Sequence, residues 1–226
     1  MPRVTWRVGF DRSVIFISVV VKDEFTMGRP SLTNQKRVEF QPIIAKAFVE
    51  LGFRRSTTAE LAKRCGVQEN VLYRIWPSKK AMFLASIEYI FEVVSEKWGK
   101  LLARAAEEGV ESPAELLLEQ EAGSRGEWRL YRIIFAGLNE TDDEDIKAAL
   151  QGMYSRFQAF LAEQIAAHRK AKHGDQSKWT LDATLTSWAI IGLATASDIA
   201  QELELLKPEE RRSMISQAGE MLLNQQ

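Results

Sequence analysis

From Asn34 onward the apolar residues of this chain recur every three or four positions, the period of helices that each bury one face. Phe40, Ile43, Ile44, Ala47 and Phe48 form the first stripe, which runs to about Leu51 before Gly52 closes it. Pro42 removes a backbone donor, so the regular helix is expected to begin near Phe40 or to bend there. Thr57-Thr58-Ala59-Glu60 has the spacing of a capping box, in which the Thr57 hydroxyl serves the free amides and Glu60 reaches back. The helix it opens ends at Cys65-Gly66, where Gly66 supplies a left-handed turn residue. A further short helix covers about Glu69 to Ile75 and stops before Pro77.

Ser78 then starts a long helix to about Glu108, with Leu84, Ile87, Phe91, Val94, Trp98, Leu101 and Ala105 in one continuous stripe. Ser112-Pro113-Ala114-Glu115 is a second capped start, with proline at the first helical position. Gly123-Ser124-Arg125-Gly126 breaks that helix, and Glu127 to Leu138 forms the next. Asp142 to Asp145 cap a long helix with Ile146, Leu150, Met153, Phe157, Leu161 and Ile165 inward. A polar loop, Lys170 to Lys178, separates it from an unusually apolar helix, about Leu181 to Leu205, and Pro208 opens the last one. The pattern predicts an all-α chain of about nine helices, with no strand after residue 27 and no internal repeat.

Charge divides the chain in a way that its overall net value of −1 conceals. Residues 28–82 hold eleven Lys and Arg against four acids, a net +7, whereas residues 83–226 carry −9. A basic head on an acidic body suits a polyanion bound at one end. The first 27 residues differ from the rest. Their Val14–Val21 run is apolar and β-branched, yet Lys22-Asp23-Glu24 follows where a signal peptide needs a small-residue cleavage site. They are expected to be a dispensable extension, with the domain beginning near Met27. No apolar run approaches the ~18 residues of a membrane span, and the single Cys65 excludes an internal disulfide. The cytoplasm is the expected compartment, with no membrane partner.

Thr57 to Ile75 reads as a helix, a glycine turn and a second short helix, held together by Leu61, Ala62, Val67 and Leu72. Such a corner occurs in many helical proteins. The basic charge centred on it favours DNA. Gly52-Phe53, Thr57 to Ala62, Cys65-Gly66-Val67 and Leu72 to Met82, within the span Phe40 to Ala85, resemble the DNA-binding domain of TetR-family regulators in order and spacing. That resemblance implies a homodimer, joined through its last two helices, that binds palindromic operator DNA through two heads and represses until a small ligand enters the body. It implies three parts: the extension 1–27, a three-helix head at 28–82, and a ligand-binding and dimerisation body at 83–226. By position, Gln68, Glu69, Asn70, Val71 and Arg74 fall on the recognition helix, and Thr57, Thr58, Tyr73 and Lys79 fall where the family contacts phosphate. Helix N-termini and lysines suit phosphate, and Asn70 or Arg74 can read base edges. Three departures stand out: Gln68 for a serine-like cap, Glu69 as an acid in the groove, and Trp76 for a phenylalanine.

In the body, Trp98, Trp128, Tyr131, Phe135, Tyr154, Phe157 and Trp188 are candidates to line a ligand cavity, although aromatics at helical spacing equally make plain core. The acids at Asp142 to Asp145 are more simply a helix cap than metal ligands, and His168 and His173, five apart, have poor ligand geometry. No metal or cofactor is expected. Cys65 reads as a small packed residue rather than a redox switch. No phosphate-binding glycine loop, nucleophile elbow or zinc-protease pattern is present, so no catalytic residue is assigned and the chain is expected not to be an enzyme. The competing reading is a small-molecule-binding or catalytic helical protein with a vestigial head. Small residues in the apolar helix after Leu181 (Ala183, Ser187, Gly192, Ala194 and Ala196) permit close approach of a partner helix, and Met214, Ala218 and Met221, at helical spacing in the last one, are expected to form its buried stripe.

Overall fold

The computed structural model describes residues 32–110, 112–123, 131–174 and 179–225. The segment 1–27 and the candidate ligand residue Trp128 lie outside them. The described residues form nine α-helices and no strand: α1 (Leu32–Arg55), α2 (Thr58–Arg64), α3 (Glu69–Tyr73), α4 (Lys79–Glu107), α5 (Pro113–Gly123), α6 (Tyr131–Leu138), α7 (Glu144–His173), α8 (Ala183–Glu202) and α9 (Pro208–Asn224).

Helix α1 departs from expectation at both ends. It begins at Leu32, so Pro42 sits in its interior rather than in a first turn. Pro42 cannot donate to the Val38 carbonyl, but residues 32–39 are all exposed and water can take that oxygen. At the other end Gly52 adopts φ 74, a conformation open to glycine, and the chain kinks so that Phe53 returns to the core. The capping box at α2 is half made. Thr57 Oγ1 accepts from the Glu60 amide at 3.2 Å, whereas the Glu60 carboxylate turns outward to Arg64 Nε at 2.9 Å. That ion pair holds the Glu60 carboxyl below its usual range.

The head packs on the first half of α4. Phe83 meets Phe48 edge-on at 5.0 Å and Phe53 at 4.9 Å, with Leu61 and Leu72 buried in the same cluster. This cluster does not stop at the head. It continues through Ile87 and Ile90 of α4 into Ile133 of α6 and Ile146, Leu150 and Met153 of α7. Exposed ion pairs fasten the same joint: Arg54 to Glu140 at 2.6 Å, and Lys80 to Asp143 at 3.0 Å and Asp145 at 2.7 Å. The acids at the start of α7 thus serve as cap and ion-pair partners. Asp143 caps the helix by accepting from the amides of Asp145 and Ile146.

A second cluster joins Ala114, Leu118 and Ala122 of α5 to Ile165 of α7 and to Ile215 and Leu223 of α9. Two buried side chains close its far end. His168 lies between Ser112 Oγ at 2.7 Å and Asn224 Oδ1 at 3.2 Å. Arg169 donates to the carbonyls of Leu181, Leu222 and Leu223 and to Thr186 Oγ1, so it serves the C-terminal oxygens of α9. Helix α8 corrects one expectation: by length and composition it is apolar enough to cross a membrane. It packs along α7 and α9 here, and carries Asp198 in an ion pair with Arg211 at 2.7 Å.

Two substitutions test this packing by urea denaturation at fixed protein concentration. Phe83→Ala should cost about 3–5 kcal/mol, because it empties a fully buried site where α4 meets Phe48 and Phe53 of α1. Gly219→Ala should cost about 1–3 kcal/mol, since the added Cβ falls 2.8 Å from Leu118 Cδ2 and nearer still to Cδ1 in a filled cluster. An unchanged midpoint in either variant would contradict the packing described.

Candidate nucleic-acid interface and body cavity

The corner formed by α2 and α3 is made by buried Leu61, Ala62 and Leu72, with Val67 packed at its edge. Gly66 at φ 67 turns the chain between the helices, in a region that L side chains rarely adopt. With the apolar face committed inward, the rest of α3 faces water. Gln68, Glu69, Asn70, Tyr73 and Arg74 are all exposed. Gln68 occupies the N-cap position without a side-chain hydrogen bond, so the departure from a serine-like cap has a structural counterpart. Val71 is half-buried against the head cluster and shares its surface between core and face.

The proposed phosphate-contact residues frame this face. Thr57 is exposed and caps α2, while the Tyr73 hydroxyl donates to Thr58 Oγ1 at 3.2 Å and so ties α3 to the start of α2. Lys79 is the first residue of α4, just after Ser78, whose Oγ accepts from the Ala81 amide at 3.0 Å. Its ammonium lies 3.0 Å from the Phe53 carbonyl and 4.4 Å from the centre of the Phe53 ring. The base is therefore held beside a helix N-terminus, where both favour an anion. Trp76, the third departure, is buried, and the Arg37 guanidinium stands 5.6 Å over its ring. Cys65 is half-buried, and burial together with the Glu39 charge pushes its thiol up to about 11, which leaves little thiolate for redox chemistry.

A cavity of about 220 Å³ opens in the body between α4, α5, α7 and α8, with α6 and α9 at its margins. Of the aromatic candidates, Trp98, Tyr154 and Phe157 line it, and Trp98 meets Phe157 edge-on at 5.4 Å. Two others do not reach it. Phe135 follows the lining residue Ile134 on α6, and a 100° step turns it to the exposed side. Trp188 lies a turn before Ile191, stacks on Tyr154 at 5.9 Å and is 46% exposed. Of Tyr131 only the backbone, at the start of α6, is described. The polar residues of the cavity went unnoticed in the sequence: Gln164, Thr195, Glu121 and Asp198. Helical spacing marks which face of a helix is apolar. It does not mark which polar residues interrupt that face inside a void.

Residues 44–86 match the family model described as bacterial regulatory proteins, tetR family. The chain is 27% identical over 173 residues to nucleoid occlusion factor SlmA of Aliivibrio fischeri (strain MJ11), covering 76% of this chain and 85% of that protein. The fold matches a TetR-family transcriptional regulator from Cytophaga hutchinsonii with a TM-score of 0.69 and 14% identity, over 87% of this chain and 96% of that one. It also matches a putative transcriptional regulator from Saccharomonospora viridis in complex with choline, with a TM-score of 0.65 and 15% identity over 84% and 96% of the two chains. The α2–α3 corner and the start of α4 fall within the matched span, and the chain is a DNA-binding regulator with the fold of TetR-family transcriptional regulators.

Proposed function

We propose that two copies of this chain, joined through α8 and α9, bind a palindromic operator with their α2–α3 corners and repress until a small molecule enters the body cavity. In this reading residues 28–82 act as the DNA-binding head and 83–226 as the dimerising, ligand-binding body, in the cytoplasm. The observation that carries it is the exposed face of α3, framed by Thr57, Tyr73 and Lys79 and bearing Asn70 and Arg74. The regulator from Saccharomonospora viridis holds choline, which supports a small-molecule partner here. Dimerisation is supported by a stripe on α8, where Leu185, Trp188, Gly192 and Ala196 are exposed at helical spacing, and by Met221 of α9, 74% exposed.

Similarity to SlmA through most of the body favours a second reading, in which the DNA-bound protein acts as a nucleoid occlusion factor rather than at a promoter. Genome-wide recovery of DNA bound by the purified protein separates the two. Enrichment at one or a few promoters supports the repressor, dispersed chromosomal sites support the second reading, and no enrichment overturns both.

On a recovered fragment the two classes of head residue should behave differently. Lys79→Ala and Tyr73→Phe should weaken binding to every sequence alike, and Lys79→Ala should flatten the dependence on salt. Asn70→Ala and Arg74→Ala should each cost about 1–3 kcal/mol at particular base pairs and relax the preference there. Equal behaviour of all four variants across a randomised operator library would refute the assignment.

Gly192→Glu addresses assembly. A Cβ at Gly192 meets nothing within 4 Å in the single chain, so the substitution spares the monomer and acts on a partner helix alone. Sedimentation equilibrium should find the variant mainly monomeric with unchanged helical content, because closure would bury an unpaired charge. An undiminished dimer would move the interface away from α8.

A further inference from the structure

Where the side chains of α3 reach depends on how its short backbone is held. Asn70 and Arg74, the proposed base readers, are exposed and make no side-chain hydrogen bond or ion pair among the described residues. Nothing inside the chain steers them one by one, so the pose of the whole helix decides where they point. A helix of five residues cannot set that pose by itself.

The start of α3 is held from α2. The chain turns at Gly66, the Val67 amide donates to the Ala62 carbonyl at 3.0 Å, and Leu72 is fully buried. The end of α3 is held from α1. The helix closes at Tyr73 with Arg74 as its C-cap, and the amides of Ile75 and Trp76 both return to the Leu72 carbonyl at 2.9 Å. The Ile75 carbonyl has no helical amide to serve it. Arg37 of α1 takes it, its Nη2 donating at 2.9 Å across 38 residues of sequence.

Arg37 makes a second contact at the same turn, where its guanidinium stands 5.6 Å over the Trp76 ring. Trp76 is 2% exposed and its Nε1 has no hydrogen-bond partner, so the indole is held by packing and by that guanidinium. A guanidinium can donate to a carbonyl and stack on a ring at once, which the compact charge of a lysine does less well. Arg37 makes no ion pair among the described residues, so no carboxylate competes for it. It lies on the exposed first turns of α1, yet its head is spent on the turn that follows the readers.

We infer, resting on the reading of α3 as the helix that meets the bases, that Arg37 is a positioning residue for operator recognition. It pins the turn between α3 and α4 to α1 through Ile75 and Trp76, and so fixes the angle at which Asn70 and Arg74 enter the groove. Hydrogen bonds to base edges tolerate only a few tenths of an ångström. Release of the turn therefore costs specificity and leaves the charge-driven hold on DNA nearly whole.

The test uses the full-length protein, its Arg37→Ala variant, the double variant Asn70→Ala/Arg74→Ala and the triple variant. Each is titrated, over a range of salt, with a duplex carrying a recovered site and with one of unrelated sequence. Arg37→Ala should bind the recovered site at least about tenfold more weakly. It should stay within about twofold on the unrelated duplex and keep the same dependence on salt. Added to the variant without Asn70 and Arg74, it should change affinity by about twofold at most, because nothing remains for it to position. Circular dichroism checks the fold, and should Arg37→Ala fail to fold, Arg37→Gln, shorter and uncharged, carries the same expectations. Equal weakening on both duplexes, with the salt slope reduced by about one, would make Arg37 a phosphate contact and overturn the positioning role. Undiminished affinity for the recovered site overturns it too, as does a full tenfold loss in the background without the readers. In those three cases the reading of α3 stands, provided that removal of Asn70 and Arg74 itself weakens binding to the site. If that removal leaves specific binding intact, the reading of α3 fails and the positioning role falls with it.

Discussion

The packing of α4 against the head is the constraint on which the rest of the structure depends. Helices α2 and α3 have seven and five residues, far too short to hold their shape alone, so the interface face exists because Leu61 and Leu72 are pinned against α1 and α4. Phe83 makes that contact through Phe48 and Phe53. Two turns further along, Ile90 of the same helix belongs to the cluster that reaches Met153 of α7, and two turns beyond that Trp98 lines the cavity. One 29-residue helix thus carries three duties, and none of them can move far without the others.

That continuity gives the effector reading a physical route. Helices α4 and α7 face each other across the cavity through Trp98 and Phe157, and across the head joint through Lys80 with Asp143 and Asp145. Midway between, Arg156 of α7 holds Glu88 with two contacts of 2.7 Å and lies 3.8 Å over the Phe91 ring. In the proposed reading, a molecule that changes the spacing of the two helices at the aromatic end works against these clasps, and the change is carried to Lys79 at the head end of α4. By linkage the same coupling makes DNA oppose the molecule as strongly as the molecule opposes DNA.

Much of this was legible in the sequence, for reasons that differ by residue. The helices and the Gly52 and Gly66 breaks follow from apolar spacing and from backbone conformations that favour glycine. The head motif was legible because a helix-turn-helix compresses its packing and its exposed face into one contiguous segment. Three things were not. The start of α1 at Leu32 escaped, because Pro42 reads as a boundary unless one knows that residues 32–39 are exposed, where water can serve the Val38 carbonyl. The outward turn of Glu60 depended on Arg64, a competing partner one helical turn away. The cavity chemistry depended on Glu121, Asp198 and Arg211, which come from three helices and meet only through tertiary packing. Aromatic residues were visible as a set, but the separation of Trp98, Tyr154 and Phe157 from Phe135 and Trp188 needed the rotation of each helix about its axis.

The central claim is that a stiff body holds two heads at one separation, and a spacing test addresses it directly. On a recovered palindromic site, affinity is measured for the natural duplex and for one lengthened at its centre by about half a helical turn, roughly five base pairs, which rotates the half-sites onto opposite faces. A body built on the shared α4 core cannot follow that rotation, so the lengthened duplex should retain only salt-sensitive, sequence-independent affinity, on the order of a thousandfold weaker. Equal affinity for the two duplexes would contradict the claim, because it would mean that each head binds without regard to the other.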